Sequence, residues 1–99
     1  MANFIQNLNK LFDSRVRLGI MSTLMVNNET NFNELKELLQ ITDGNLASHL
    51  KALEENDMIK IKKGFIGRKT NTTYSLTKNG EKSFKAHIEA LEKMIKFSR

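Results

Sequence analysis

The sequence predicts a mainly α-helical domain carrying one β-hairpin, an α+β architecture in a single unit over residues 1–99. Three observations predict it. Apolar residues recur at helical spacing up to about residue 56. The pattern then switches to alternation over 58–76, and helical spacing returns across 78–97. Ninety-nine residues give room for one core rather than two.

The elements follow in chain order. Phe4, Ile5, Leu8, Leu11 and Phe12 predict a short amphipathic helix over 3–12. Asp13 or Ser14 can cap a second helix, with Val16, Ile20 and Leu24 at i, i+4, i+8, Met21 and Met25 beside them, and Asn27-Asn28 closing it. Residues 31–40 predict a third helix, with Asn33 as N-cap, Leu35, Leu38 and Leu39 inward, and Phe32 as a staple or a one-residue strand. A tight connection at 41–44 leads to a fourth helix over 43–56, whose inward face is Leu46, Leu50 and Leu53.

From Met58 to Phe65 the period is two, with Ile59, Ile61 and Phe65 on one side and Lys60 and Lys62 on the other. Gly64 and Gly67 bracket a turn region that runs on through Asn71. Thr72, Tyr74 and Leu76 share one face of the returning strand, so 58–76 reads as a hairpin with a long basic tip. Thr77 caps a last helix over 78–97 that carries the stripe Phe84, Ile88, Leu91, Ile95 and spans about 30 Å.

Charge is divided unevenly along this order. Residues 1–57 hold five basic and eight acidic side chains, net −3, and residues 81–99 are net +2. Residues 58–80 hold six basic side chains and no acid. A scattered excess would read as a solvated surface; a concentrated, acid-free stretch reads as the footprint of a polyanion.

Other chemistry finds little support. The chain has no cysteine, so disulfides, thiolate metal sites and cysteine nucleophiles are excluded, and a reducing compartment such as the cytoplasm fits. Two isolated histidines make no zinc site, and the five methionines read as core filler. Asp13, Asp43 and Asp57 stand at no catalytic spacing from the serines, and no glycine-rich phosphate loop is present. The expectation is no enzyme, no metal and no cofactor. No apolar run approaches the roughly 20 residues of a membrane span, and residues 1–9 are too polar for a signal peptide.

Two short helices over 33–56, followed at once by a basic hairpin over 58–76, are the layout of a winged helix-turn-helix. If Leu46, Leu50 and Leu53 are buried, then Gly44, Asn45, Ser48, Lys51 and Ala52 are exposed on the second helix of the pair. Short polar groups on a closely approaching helix suit the edges of bases in a major groove. Lys62, Lys63, Arg68 and Lys69, with Thr70 and Asn71, suit phosphates or the minor groove.

From Leu35 to Phe84 the sequence resembles the small winged-helix regulators related to the MarR and ArsR repressor families. Three pieces carry the resemblance. DGNLASHLKALE (Asp43 to Glu54) is similar to the recognition helix, KGFIGRKTNTTYSLT (Lys63 to Thr77) to the wing, and DSRVRLGIM (Asp13 to Met21) to the leading helix. The likeness covers roughly Phe12 to Phe84. It implies a dimeric bacterial or archaeal transcriptional regulator, cytoplasmic, bound to a pseudo-palindromic double-stranded DNA operator. Repression is favoured over activation, because 99 residues leave no room for a separate activating domain. The recognition helix departs from an ideal reader: it opens on Asp43, offers Lys51 as its one base, and has no arginine for guanine. Modest discrimination by the helix and affinity weighted to the wing are therefore expected. Metal sensing of the ArsR type does not carry over.

Several residues have competing readings. His49, at the edge of its apolar stripe, suits either a structural role or a contact to DNA. His87, among Lys85, Glu89 and Glu92, reads as a solvated side chain, and Arg15 and Arg17 as surface charges slightly more readily than phosphate contacts. Apolar stripes on 3–12 and 78–97 exceed what so small a domain covers, so Phe4, Leu8, Leu11, Phe84, Ile88, Leu91 and Ile95 are expected at a homodimer interface. The competing arrangement folds both segments back onto their own domain. A small-molecule effector is compatible with such a dimer, but no residue set marks its site. The functional alternative is a protein–protein interaction module of the same fold that does not bind DNA; RNA binding ranks third, since the hairpin lacks paired stacking aromatics.

Overall fold

A computed structural model describes residues 4–97. After two 3-10 turns, Phe4–Asn7 and Lys10–Phe12, the order is α1 (Arg15–Val26), β1 (Thr30–Asn31), α2 (Phe32–Leu39), α3 (Asp43–Glu55), β2 (Ile59–Ile66), β3 (Lys69–Leu76) and α4 (Lys78–Phe97). The strands form one antiparallel sheet in the order β1-β3-β2. This is a winged-helix fold: the three helices α1, α2 and α3 pack on each other and on the base of the hairpin.

Local chemistry fixes most boundaries. The Ser14 Oγ accepts from the Arg17 N–H and starts α1, which ends at Asn27 as expected. The cap of α2 is Asn31 rather than Asn33. Asn31 and Glu34 form a reciprocal capping box, which satisfies two backbone donors and moves the start back to Phe32. The two residues before it pair with β3, Thr30 opposite Tyr74 and Asn31 opposite Thr73. Gln40 adopts a left-handed conformation, φ 55°, and ends α2, so the connection to α3 is Gln40 to Thr42 rather than 41–44. The Thr42 hydroxyl accepts from the Asn45 N–H and caps α3.

The segment 3–12, expected as one helix, is not an α-helix. Residue 3 lies outside the described residues. Asn9 is extended, its side chain accepts from the Leu11 N–H, and its own N–H donates to His87 Nδ1 at 3.0 Å instead of to a carbonyl one turn back. A short asparagine-rich run competes with its own backbone for hydrogen bonds, and two 3-10 turns result.

The hairpin also differs from expectation. Its strands reach Ile66 and resume at Lys69, so the connection is two residues, Gly67-Arg68, rather than a long loop. Gly67 has φ 64°, and glycine first in a two-residue turn is the type II′ arrangement, whose twist matches paired strands. Register places Ile59 opposite Leu76 and Ile61 opposite Tyr74.

The core gathers Phe12, Ile20, Met21, Leu24, Leu35, Leu46, Leu50, Leu53, Met58, Ile59, Tyr74 and Phe84. At one end Phe12 meets Phe84 edge-on, ring centroids 5.4 Å apart, and His87 packs on both rings. His87 is thus buried, 3% exposed, and not the solvated residue its neighbours suggest. Burial holds its pKa below the ordinary imidazole value, with the Asp13 charge pulling weakly the other way. The start of α4 is bolted to the end of α3. Asp57 sits at φ 59°, and its carbonyl accepts from the Thr77 hydroxyl at 2.6 Å and from Asn79 Nδ2 at 3.3 Å. Thr77 Oγ1 accepts in turn from the Gly80 N–H, capping α4. Gly80 lies so close to the Met58 carbonyl that a Cβ there would collide with backbone.

Candidate nucleic-acid interface

The site has two parts, a helix face and a hairpin. Leu46, Leu50 and Leu53 of α3 are fully buried against α1 and α2, which fixes how the helix is rotated. Burying each is worth roughly 1.5–3 kcal/mol relative to exposure. The rotation exposes Asp43, Gly44, Asn45, Ala47, Ser48 and Lys51, as the leucine spacing implies; Ala52, expected with them, is half-buried. Three residues, Asn56 to Met58, connect α3 to β2, and the helix packs against that strand.

Asp43 stands at the N-terminus of α3, where the helix dipole favours a carboxylate. It is also paired: Lys36 Nζ of α2 lies 2.9 Å from its Oδ1, and both side chains are exposed. A pair so exposed adds little stability, but it offsets the charge that would otherwise repel a phosphate.

His49 is half-buried on α3. Burial is the main cause that lowers its pKa, and the positive charge of Arg17 adds to it. Arg17 of α1 thus stands near enough to His49 for its charge to be felt there. It is half-buried, and its Nε is buried with no hydrogen-bond partner. The surface role that the sequence suggests for Arg17 does not match this burial. The signal for it was legible, because positions 17, 20, 21 and 24 lie on one helical face and the last three are core. Arg15 is exposed.

On the hairpin, Lys60, Lys62, Lys63, Arg68, Lys69 and Thr70 are exposed and Asn71 is half-buried. Lys60 and Lys62 lie on one face of the ribbon, opposite Ser75 and Thr73, and Lys63 on the other, opposite Thr72. The partner strand is lined with small hydroxyl and amide side chains, so the lysines stand above a low surface. Among the described residues, no ion pair to an acid involves any of these cations.

The expected interface residues behave unequally. Ile88 and Ile95 of α4 are exposed, by 40% and 77%. Leu91, Leu8 and Leu11 are half-buried. Phe84 is buried against Phe12 in its own core, only 4% exposed. The Phe4 side chain lies outside the described residues. The N-terminal turns rest on α4, so part of that helix's stripe is covered within the chain.

Among the described residues no three His, Cys, Asp or Glu side chains are grouped to hold a metal ion, and no helix is long and apolar enough to cross a membrane.

Comparison with known proteins agrees with this geometry. A family model described as the winged helix DNA-binding domain matches residues 16–95. An uncharacterized protein of Methanocaldococcus jannaschii, MJ0432, is 39% identical over 87 residues, 88% of this chain and 95% of that protein. The solved structure of a transcriptional regulator homologue from Pyrococcus horikoshii OT3 aligns with TM-score 0.76 at 29% identity, covering 92% of this chain and 95% of that one. Diamide-treated YodB of B. subtilis aligns with TM-score 0.80 at 23% identity, over 98% of this chain and 95% of that one, a likeness of fold.

Proposed function

The chain belongs to the winged helix DNA-binding domain family, with the fold of MarR-type regulators, and from that premise we propose that it is a transcriptional repressor that binds double-stranded DNA sequence-specifically as a homodimer. The carrying observation is the pairing of an acid-free hairpin, bearing five exposed cations from Lys60 to Lys69, with a helix whose exposed face is short and polar. In this reading Lys62, Lys63, Arg68 and Lys69 meet phosphates, with Thr70 and Asn71 beside them. Asn45, Ser48, His49 and Lys51 face base edges in the major groove, and Gly44 allows close approach. Asp43, held by Lys36, orients the helix end.

The dimer reading rests on the outward edge of α4. Ile88, Leu91 and Ile95 share one stripe of the helix, and Leu8 and Leu11, each half-buried, are the N-terminal residues expected to join it. Two copies joined there would present two α3 helices to half-sites about one helical turn, ~34 Å, apart on a pseudo-palindromic operator. Beside this stripe, a shallow cleft of about 360 Å³ between α1 and α4, lined by Met25, Phe84 and Ile88 among others, leaves room for a small molecule. As a regulator working on DNA the protein would act in the cytoplasm, with no catalytic chemistry and no cofactor.

A shift assay with non-specific duplex at low salt tests the central claim. Retention at micromolar protein is expected; no retention would favour the protein–protein interaction module. Selection from a random DNA pool then reads operator and half-site spacing together, and a monomer in sedimentation at micromolar concentration would remove the dimer.

A further inference from the structure

The tip of the hairpin carries two large apolar side chains that are exposed among the described residues. Phe65 is 75% exposed and Ile66 is 68% exposed. They lie on opposite faces of the ribbon, Phe65 across from Thr70 and Ile66 across from Lys69, immediately before the Gly67-Arg68 turn. The core does not reach them: along β2 burial is complete at Ile59, partial at Ile61 and lost by Lys63. At ~3.3 Å per residue, Phe65 stands about 20 Å from Ile59. An isolated hairpin tip needs no apolar side chains for its own stability, and exposing a phenyl and a sec-butyl group to water is unfavourable.

The surroundings say what covers the pair. Lys63, Arg68 and Lys69 flank it, and residues 58–80 contain no acid, so the tip is complementary to a polyanion and repels another copy of itself. The tip is also slim. Gly64 has no side chain and nothing within 4 Å of where its Cβ would be, and the facing residues are Thr70, Asn71 and Thr72. The minimal turn presents the tip end-on, so that single side chains, rather than the ribbon itself, meet a minor groove about 6 Å wide.

Building on the DNA-binding reading above, we propose that the apolar tip carrying Phe65 and Ile66 acts as a wedge at the minor groove, the side chain on the face turned to the base pairs entering and partly unstacking a base step, bending the duplex while the flanking cations hold the phosphates. Unstacking costs a few kcal/mol and is cheapest at flexible pyrimidine–purine steps, so the wedge selects sequence through deformability. It would thereby supply discrimination that a helix without arginine lacks.

The test uses the full chain and a short duplex with a fluorophore pair at its ends and 2-aminopurine at a central T-A step. Binding is followed by anisotropy at low salt. Wild type is expected to raise both energy transfer and 2-aminopurine fluorescence, as a kink of about 20–90° would. Phe65→Ala/Ile66→Ala should bind with an unchanged salt slope but leave both signals at the free-duplex level. Both positions are exposed, so thermal unfolding should not move. A wild type that binds and leaves the duplex straight and stacked overturns the wedge, as does a double variant that distorts DNA like wild type. A double variant that alters only the sedimentation of the free protein assigns the tip to self-association and also overturns it. If wild type binds no duplex at low salt, the DNA-binding reading falls and the wedge with it.

Discussion

The helix α3 and the hairpin meet within three residues and are built on opposite plans. The helix is fastened by three buried leucines and a threonine cap, carries the exposed Lys36–Asp43 pair at its start, and shows one exposed lysine. The hairpin is fastened at its base by Ile59, Ile61 and Tyr74, and beyond that point has cations, small polar residues and two uncovered apolar tips. Reading bases needs a rigid element with short side chains, because discrimination depends on hydrogen-bond geometry. Holding phosphates needs charge and reach, and tolerates freedom, because the electrostatic term is insensitive to sequence. On the proposed reading the helix supplies geometry and the hairpin affinity.

The contrast is broken hardest at its fastenings. Leu50→Ala should cost about 2–5 kcal/mol in urea denaturation, since it opens a cavity under α3. Phe65→Ala should stay within about 0.5 kcal/mol of wild type, since nothing packs on that ring. Comparable losses at the two sites would mean that the hairpin tip is part of the fold.

The next test separates affinity from reading. Arg68→Ala/Lys69→Ala should weaken binding to all duplexes and flatten the log–log salt slope by roughly 1 per lost contact. Asn45→Ala should leave the slope alone and cost about 1–3 kcal/mol on a selected site. A slope that follows Asn45 rather than the hairpin would reverse the assignment.

The smallest effect concerns pH. His87 Nδ1 accepts the Asn9 N–H, which requires the neutral ring, and burial lowers its pKa in the folded state. The folded state then binds fewer protons than the unfolded state below the ordinary value of about 6.5. Its contribution is complete above that pH and is lost as pH falls through the lowered value. His49 is shifted in the same direction by burial and Arg17, so part of the acid loss belongs to it. Chemical denaturation at pH 5 and pH 7.5 should show wild type losing stability on acidification and His87→Gln losing less. An equal loss in both would place the proton elsewhere.

Much of the arrangement was legible because it is local. Ser14 and Thr77 act as caps because a short hydroxyl needs only the next turn's N–H. The exposed face of α3 followed from the spacing of its leucines, and the basic hairpin from composition. Asn31 was missed as a cap because Asn33 also precedes the leucines, and the strand pairing of Thr30 and Asn31 with a segment some forty residues away decided between them. The hairpin turn differs from expectation because Gly64 and Gly67 both read as turn positions, and only Gly67 lies in the turn. The pairing of Ile59 with Leu76 over the core then carries the strands out to Gly67.

The sequence by itself determined the helix-turn-helix, hairpin and last helix in their order, the charge division and the face that α3 presents. All three depend on residue types and on the periods of helix and strand. Tertiary structure alone decided that His87 is buried and accepts the Asn9 N–H, and that Phe84 packs on Phe12 in the core. Each of these depends on a neighbour distant in sequence. A local pattern shows that a side chain is apolar or charged, and only the packed chain shows what stands across from it.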